Sequence, residues 1–182
     1  MGYNTDGEGF VRSLAEEGGP SPQGLCAVIL GAGGAARAVA SGLLDRGAER
    51  IVFLNRTKSR AQAAVDTLSH SYPAADLSIA PLDKNAFGRA ATGAGLLVNC
   101  TSGPAAQTVA EFEPHLLSET ASWVDINYWM KQPPCEEKVV ECGRRFHNGL
   151  GMLAHQGALA FELFTGHPAT GAELRSFLME TL

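Results

Sequence analysis

Two stretches of this chain carry residue types suited to holding a phosphorylated ligand. The first is Gly31-Ala32-Gly33-Gly34-Ala35-Ala36-Arg37-Ala38. Gly31, Gly33 and Ala36 fit G-x-G-x-x-G/A, a weak pattern that gains meaning only after a strand and before a helix. Both flanks are expected here. "LCAVIL" at 25–30 is a continuous apolar run, as in a strand buried on both faces, and residues 34–46 place Ala36, Val39, Ala40 and Leu43 on one helical face. In that setting Gly31 permits the tight turn, Gly33 lets a pyrophosphate approach the backbone, and Ala36 lets helix and strand pack closely. Ala32, Gly34 and Ala35 complete the loop. The helix N-terminus offers free N–H groups and a positive dipole end to phosphates.

The second stretch is Asn55-Arg56-Thr57-Lys58-Ser59-Arg60, following the apolar run "RIVFLN" at 50–55. A fold that prefers NAD places Asp or Glu here, about 20 residues past the first glycines, to accept bonds from the ribose 2′-hydroxyl. This chain has three cations instead. A carboxylate would repel a 2′-phosphate, whereas Arg56 can pair with one through two parallel bonds and stack on adenine. Cations at the start of a helix oppose its dipole, so a merely structural role suits them poorly. The expectation is NADP over NAD, with Asn55, Arg56, Thr57 and Arg60 at the phosphate.

The elements that must position these residues read as an α/β alternation. Helices are expected at 7–18, 34–46, 58–70, 84–90, 134–142, 151–165 and 169–181. Strands are expected at 25–30, 50–55, 75–82, 94–100, 122–127 and 144–148. The pattern implies a Rossmann-like, doubly wound, mostly parallel sheet of about six strands with helices on both faces. At 182 residues the chain is expected to be one nucleotide-binding domain. Residues 1–23 form a linking helix and loop, 24–148 the core, and 149–182 the closing helices. A net charge of −5, with no block of like charges, points away from a nucleic-acid or membrane-surface partner. No apolar run approaches the roughly 20 residues that span a bilayer. Cys26, Cys100, Cys135 and Cys142 lack the paired spacing of a zinc site. They read as free thiols packed as small hydrophobes, and the cytoplasm is the expected compartment.

Several separated motifs together resemble the shikimate dehydrogenase family, with its quinate/shikimate relatives. "GYNTDGEGF" at 2–10 is similar to the family's G-x-N-T-D-x-x-G-F. The glycine loop and "NRTKSR" resemble its cofactor loop and phosphate clamp. "VNCTS" at 98–102, "VDINY" at 124–128 and "NGLGMLAHQGALAFELFTG" at 148–166 resemble further family segments. The resemblance implies NADPH-dependent reduction of 3-dehydroshikimate to shikimate, in aromatic amino acid biosynthesis, by a two-domain enzyme. It implies that Asp6 is the catalytic-site carboxylate, paired with a lysine of the other domain. It further implies that Tyr128 and Gln156 meet substrate, and that Thr101, Ile126, Gly149 and Met152 border the cofactor. This chain resembles only the NADP-binding domain. The lysine-bearing substrate domain is expected to be missing, and the chain alone is expected to be a poor catalyst.

Each site residue also has a plainer role open to it. Asp6 could cap the first helix. Gln156 could be a surface polar residue and Tyr128 a packed aromatic. Leu153, Leu159 and Phe161 read as core, and His147 and His155 as structural. Two loops depart from the family pattern, Gly103-Pro104-Ala105 and Trp129-Met130-Lys131-Gln132-Pro133, which leaves substrate identity open. A non-catalytic NADP-binding module, or a dehydrogenase of quinate or another cyclic hydroxy acid, is the competing reading. Helix 7–18 and the closing helices are expected to expose apolar surface and favour self-association.

Overall fold

The computed structural model describes residues 2–128, 133 and 135–181. Its strands are β1 (Cys26–Leu30), β2 (Arg50–Leu54), β3 (Asp76–Ala80), β4 (Leu96–Asn99), β5 (Ser122–Asp125) and β6 (Arg145–Asn148). They form one sheet in the order β3-β2-β1-β4-β5-β6, and every neighbouring pair is parallel. Parallel neighbours require crossovers, supplied by α2 (Gly34–Asp45), α3 (Lys58–Ser71), α4 (Lys84–Ala91), α5 (Ala106–Ala110) and α6 (Glu136–Glu141); α1 (Asp6–Glu16) precedes β1, and α7 (Leu150–Thr165) and α8 (Gly171–Thr181) follow β6.

The apolar runs of the strands are buried on both faces, and alternate residues feed two cores. Ile29, Ile51, Phe53 and Val98 pack under Phe10 and Leu14 of α1, Val39 and Leu43 of α2, and Met152 of α7. Val28, Leu30, Leu97 and Trp123 pack against Phe87 of α4, Phe112 and Val139 of α6. Phe87 and Phe112 stack with ring centroids 4.3 Å apart.

Helix α1 is wedged between α2 and α7 by glycines. A Cβ on Gly7 would lie 2.5 Å from the Ala38 carbonyl oxygen, and one on Gly9 would lie 2.6 Å from the Gln156 nitrogen. Phe10, Val11 and Leu14 are almost wholly buried. The expectation of exposed apolar surface on this helix is therefore corrected, because its apolar face closes the first core. Exposed apolar side chains do occur on the closing helices: Phe161, Leu163, Phe164, Phe177 and Met179.

Two further readings are corrected. Cys26 is exposed, because it opens β1 at the sheet edge before the buried run begins. Residues 103–116 hold two short 3₁₀ turns and α5, which the sequence periodicity did not register. The observed sheet is wholly parallel, a tighter description than the expected mostly parallel one.

Candidate functional site

The sheet order reverses between β1 and β4, the point where ligands of open α/β sheets bind, outside the carboxyl ends of the strands. Gly31 follows β1, Asn55 follows β2, Thr101 lies two residues past β4, Ile126 follows β5 and Gly149 follows β6. The topology therefore gathers the sequence-predicted residues at one edge.

The glycine loop has the form of a phosphate cradle. Gly31 has φ of 99°, which favours glycine, and its N–H donates to the Leu54 carbonyl at 2.8 Å. A Cβ there would lie 3.0 Å from the Cys100 carbonyl oxygen. Above Gly33 and Gly34 lies open space. Gly33 precedes the first turn of α2, which has no side-chain cap and no acidic residue. The unpaired N–H groups of that turn and its positive end face open space, so the residues present fit a pyrophosphate.

Beside it, a pocket of about 320 Å³ is lined by Asn55, Arg56, Lys58, Ala61, Ile79 and Pro81, among others. The Asn55 side chain donates to the Thr57 carbonyl at 2.8 Å and so fixes the turn. Arg56, Lys58 and Arg60 are exposed, and none pairs with a carboxylate among the described residues. Three uncompensated cations thus stand together at the start of α3. Thr57 and Arg60 lie outside the pocket wall itself.

Six of the predicted residues line another pocket of about 270 Å³: Asp6, Ile126, Tyr128, Gly149, Met152 and Gln156. Asn127 and Leu153 complete it. Glycine at 149 lets α7 begin against the Ile126 carbonyl, which a Cβ would strike. Asp6 is the first residue of α1, and the N-cap is Thr5, so Asp6 is not the cap. Its backbone N–H is held by Asn4 Oδ1 at 3.0 Å. The Asp6 carboxylate has no ion pair among the described residues, and no described lysine lines this pocket. The Gln156 amide donates to the Leu153 carbonyl at 3.1 Å within its own helix. Thr101 belongs to an adjoining pocket of about 220 Å³ under the 103–110 segment, and Asn127 lines both. The departing loop Gly103-Pro104-Ala105 forms a 3₁₀ turn over this pocket's rim. Of the second departing loop, Trp129, Met130, Lys131 and Gln132 lie outside the described residues.

Sequence reasoning missed the polar cluster beneath these pockets. Asn99 and Asp125 are register partners at the ends of β4 and β5, and the Asn99 amide donates to Asp125 Oδ2 at 2.9 Å. Asn99 Oδ1 accepts from the Thr101 hydroxyl at 2.7 Å and from its N–H at 3.1 Å. Asp125 also holds Asn127 through its N–H at 3.0 Å and its amide at 2.6 Å. The readable signal was a polar residue closing each of two adjacent apolar runs. Asp125 also marks its surroundings. Burial first, and then the carboxylate, pushes the Cys135 thiol up to about 12 and raises Cys100 as well.

His147 and His155 are held by acidic residues at the end of α1. His147 lies between Glu17 Oε2 at 3.0 Å and Ser122 Oγ at 3.1 Å, and His155 meets Glu16 Oε2 at 2.8 Å. Ser122, His147 and Glu17 are linked in the manner of a hydrolase relay. Ser122 is fully buried inside β5, however, so no substrate reaches its hydroxyl. Among the described residues, no group of His, Cys, Asp and Glu forms a metal site, and no helix is long and apolar enough to cross a membrane.

Known proteins were compared with this chain and its fold. Residues 13–103 match the Shikimate / quinate 5-dehydrogenase family, and residues 149–169 match the Shikimate 5′-dehydrogenase C-terminal domain. Shikimate dehydrogenase (NADP(+)) of Methanopyrus kandleri is 40% identical over 186 residues, spanning 100% of this chain and 63% of that protein. Shikimate 5-dehydrogenase of Thermus thermophilus, solved with NADP(H) and shikimate, is 33% identical, with a TM-score of 0.76 over 100% of this chain and 64% of that one. The ligand-free 5-ketofructose reductase of a Gluconobacter species is 29% identical, with a TM-score of 0.80 over 100% of this chain and 64% of that one. The chain thus spans somewhat under two thirds of these relatives' length. With the family match running through the glycine loop to the end of β4 and resuming in α7, the chain belongs to the shikimate/quinate 5-dehydrogenase family.

Proposed function

We propose that this chain is the NADP(H)-binding part of a shikimate dehydrogenase, acting in the NADPH-dependent reduction of 3-dehydroshikimate to shikimate. The observation that carries the reading is the meeting of Asp6, Tyr128 and Gln156 with Ile126, Gly149 and Met152 around one pocket, at the same carboxyl edge of the sheet as an uncompensated cation cluster. NADPH, when bound, supplies the hydride. Gly31 sets the turn, its own N–H held by the Leu54 carbonyl, and Ala32, Gly33, Gly34 and Ala35 hold the pyrophosphate by backbone N–H groups. Asn55, Arg56, Thr57 and Arg60 hold the 2′-phosphate. Thr101, Ile126, Gly149 and Met152 border the nicotinamide, and Tyr128 and Gln156 orient the substrate. We read residues 1–182 as one such domain, acting in the cytoplasm, where its four free thiols suit a reducing compartment.

Reduction of a ketone places negative charge on its oxygen, which needs a proton donor at that atom. Asp6 is acceptor-only when ionised and cannot serve that oxygen directly. Its part is to orient and tune a lysine ammonium. In this reading the lysine comes from a separate substrate lobe, as the family resemblance implies. The exposed apolar side chains of α7 and α8 give such a lobe, or a second copy, a surface to cover.

The test has two parts. Titration with NADPH, followed by nucleotide fluorescence, should show saturable binding; none at millimolar cofactor ends the cofactor reading. The 182-residue chain alone should not oxidise shikimate, and saturable oxidation at ordinary enzyme rates would end the divided-site reading. A second reading, a related cyclic or polyhydroxy ketone as substrate, is favoured by one observation. The 5-ketofructose reductase shares the fold over the whole chain. A panel of shikimate, quinate and 5-ketofructose, tested on this chain joined to a substrate lobe, separates the two.

A further inference from the structure

Asn127 sits where two cavities meet, between the pocket of Asp6 and Gln156 and the pocket beneath Thr101. Its side-chain amide is fixed from behind. One N–H goes to Asp125 Oδ1 at 2.6 Å, and Nδ2 also donates to the Thr101 carbonyl at 3.0 Å. Turning the amide over would set its oxygen against two acceptors, so its orientation is dictated. The Asp125 oxygens face the Asn99 amide, the Asn127 N–H, the Asn127 amide and, at 4.0 Å, the Cys135 thiol, all four of them donors.

Both amide hydrogens of Asn127 are thereby spent, while its Oδ1 accepts no hydrogen bond among the described residues. The residue is only 6% exposed. A nearly buried acceptor left without a donor is costly, and buried polar atoms normally find partners. Asn127 lines both cavities, so a ligand in them can reach it.

We propose that Asn127 Oδ1 is a ligand-reading acceptor that receives an N–H of the nicotinamide carboxamide, with Asp125 as the positioning residue behind it. The inference rests on the cofactor reading above and deepens it. A carboxylate or carbonyl of a ligand would set acceptor against acceptor at Oδ1, so the site selects a hydrogen-bond donor. Of the cofactor groups which that reading brings to Ile126, Gly149 and Met152, the carboxamide supplies such a donor.

The experiment is isothermal titration of the chain with NADP+ and with its 3-acetylpyridine analogue, in which a methyl group replaces the carboxamide NH2. Wild type should bind NADP+ about threefold to tenfold more tightly, the range of one neutral hydrogen bond. Asn127→Leu should bring the ratio close to one. Asp125→Asn should lower it too, by releasing the Asn127 amide. Equal affinity of wild type for both compounds overturns the proposal without needing any variant to fold. A wild-type ratio retained in Asn127→Leu overturns it as well. Failure of wild type to bind either compound would bring down the cofactor reading, and this inference with it.

Discussion

Gly9 offers a quantitative test of how α1 is set. In an α-helix the change Gly→Ala is ordinarily favourable by about 1 kcal/mol. At Gly9 that gain is opposed by contact. The new Cβ would lie 2.6 Å from the Gln156 nitrogen, 2.8 Å from its Cβ and 2.9 Å from its Cα. Two of these are backbone atoms of α7, which cannot rotate away, so one helix must shift. Overpacking of this kind costs about 1–3 kcal/mol, and the upper half applies where backbone meets backbone. The net effect of Gly9→Ala is a loss of about 1–2 kcal/mol, or a fall in Tm of roughly 2–8 °C for a domain of this size. Gly88, in α4, is the internal control. The nearest neighbour of an added Cβ there is Leu116 Cδ1, at 3.9 Å. Gly88→Ala should therefore raise Tm, through propensity alone. Thermal denaturation of both variants by circular dichroism reads the pair. A Gly9→Ala chain as stable as Gly88→Ala would refute the claim that α1 and α7 are held at glycine distance.

Further outcomes follow from the same structure. Arg56→Ala should weaken NADPH binding by about tenfold or more, the worth of a charge-assisted pair, and NADH binding far less; equal losses in fluorescence titration would remove the 2′-phosphate assignment. With a thiol reagent at pH 8, exposed Cys26 should react first, and Cys135, held near 12, only on unfolding. Mass mapping of the labelled cysteines checks the order. The Arg12 hydrogen bond, with Arg46 nearby, holds the Glu8 carboxyl below its usual 4.5 despite slight burial. The stability it contributes is therefore present above about pH 4.5 and is lost as pH falls through the lower folded value. Glu8→Gln should cost under about 1 kcal/mol at neutral pH, as exposed pairs do, and nothing in strong acid; urea titrations at the two pH values measure it.

The inner strands β1, β2, β4 and β5 were legible because both of their faces are buried, which makes each a largely apolar run, whereas the edge strands β3 and β6 are half-buried and carry polar residues. Strand ends were less legible, since a strand stops where the hydrogen-bond ladder stops. The run expected at 75–82 ends at Ala80, just before Pro81. The 103–116 segment was opaque because five residues such as Ala106–Ala110 are too few to show a helical period. The burial of α1 was misjudged for a different reason. Its apolar face is obvious in the sequence, but which surface covers it depends on the glycines that admit it between α2 and α7. The Asn99–Asp125 pair needed the sheet order, because nothing local shows that β4 and β5 are neighbours.

The positions of Asp6 and of the glycine loop follow from different physics, and that difference bears on what the chain can do alone. A phosphate cradle made of backbone N–H groups and a helix end is complete as folded, since no partner must arrive to orient it. A carboxylate at a pocket open to water is not complete in that sense. At about 4 Å, an ammonium and a carboxylate attract by about 1 kcal/mol in bulk water and about 4 kcal/mol at an effective dielectric near 20. Bringing a lysine to Asp6 while water remains would thus yield only about a quarter of the available attraction. On the proposed reading, a lobe that closes over Asp6, Tyr128 and Gln156 would have to exclude water as well as supply the cation. Cofactor binding should accordingly be a property of the chain itself, whereas proton transfer should depend on the covering lobe.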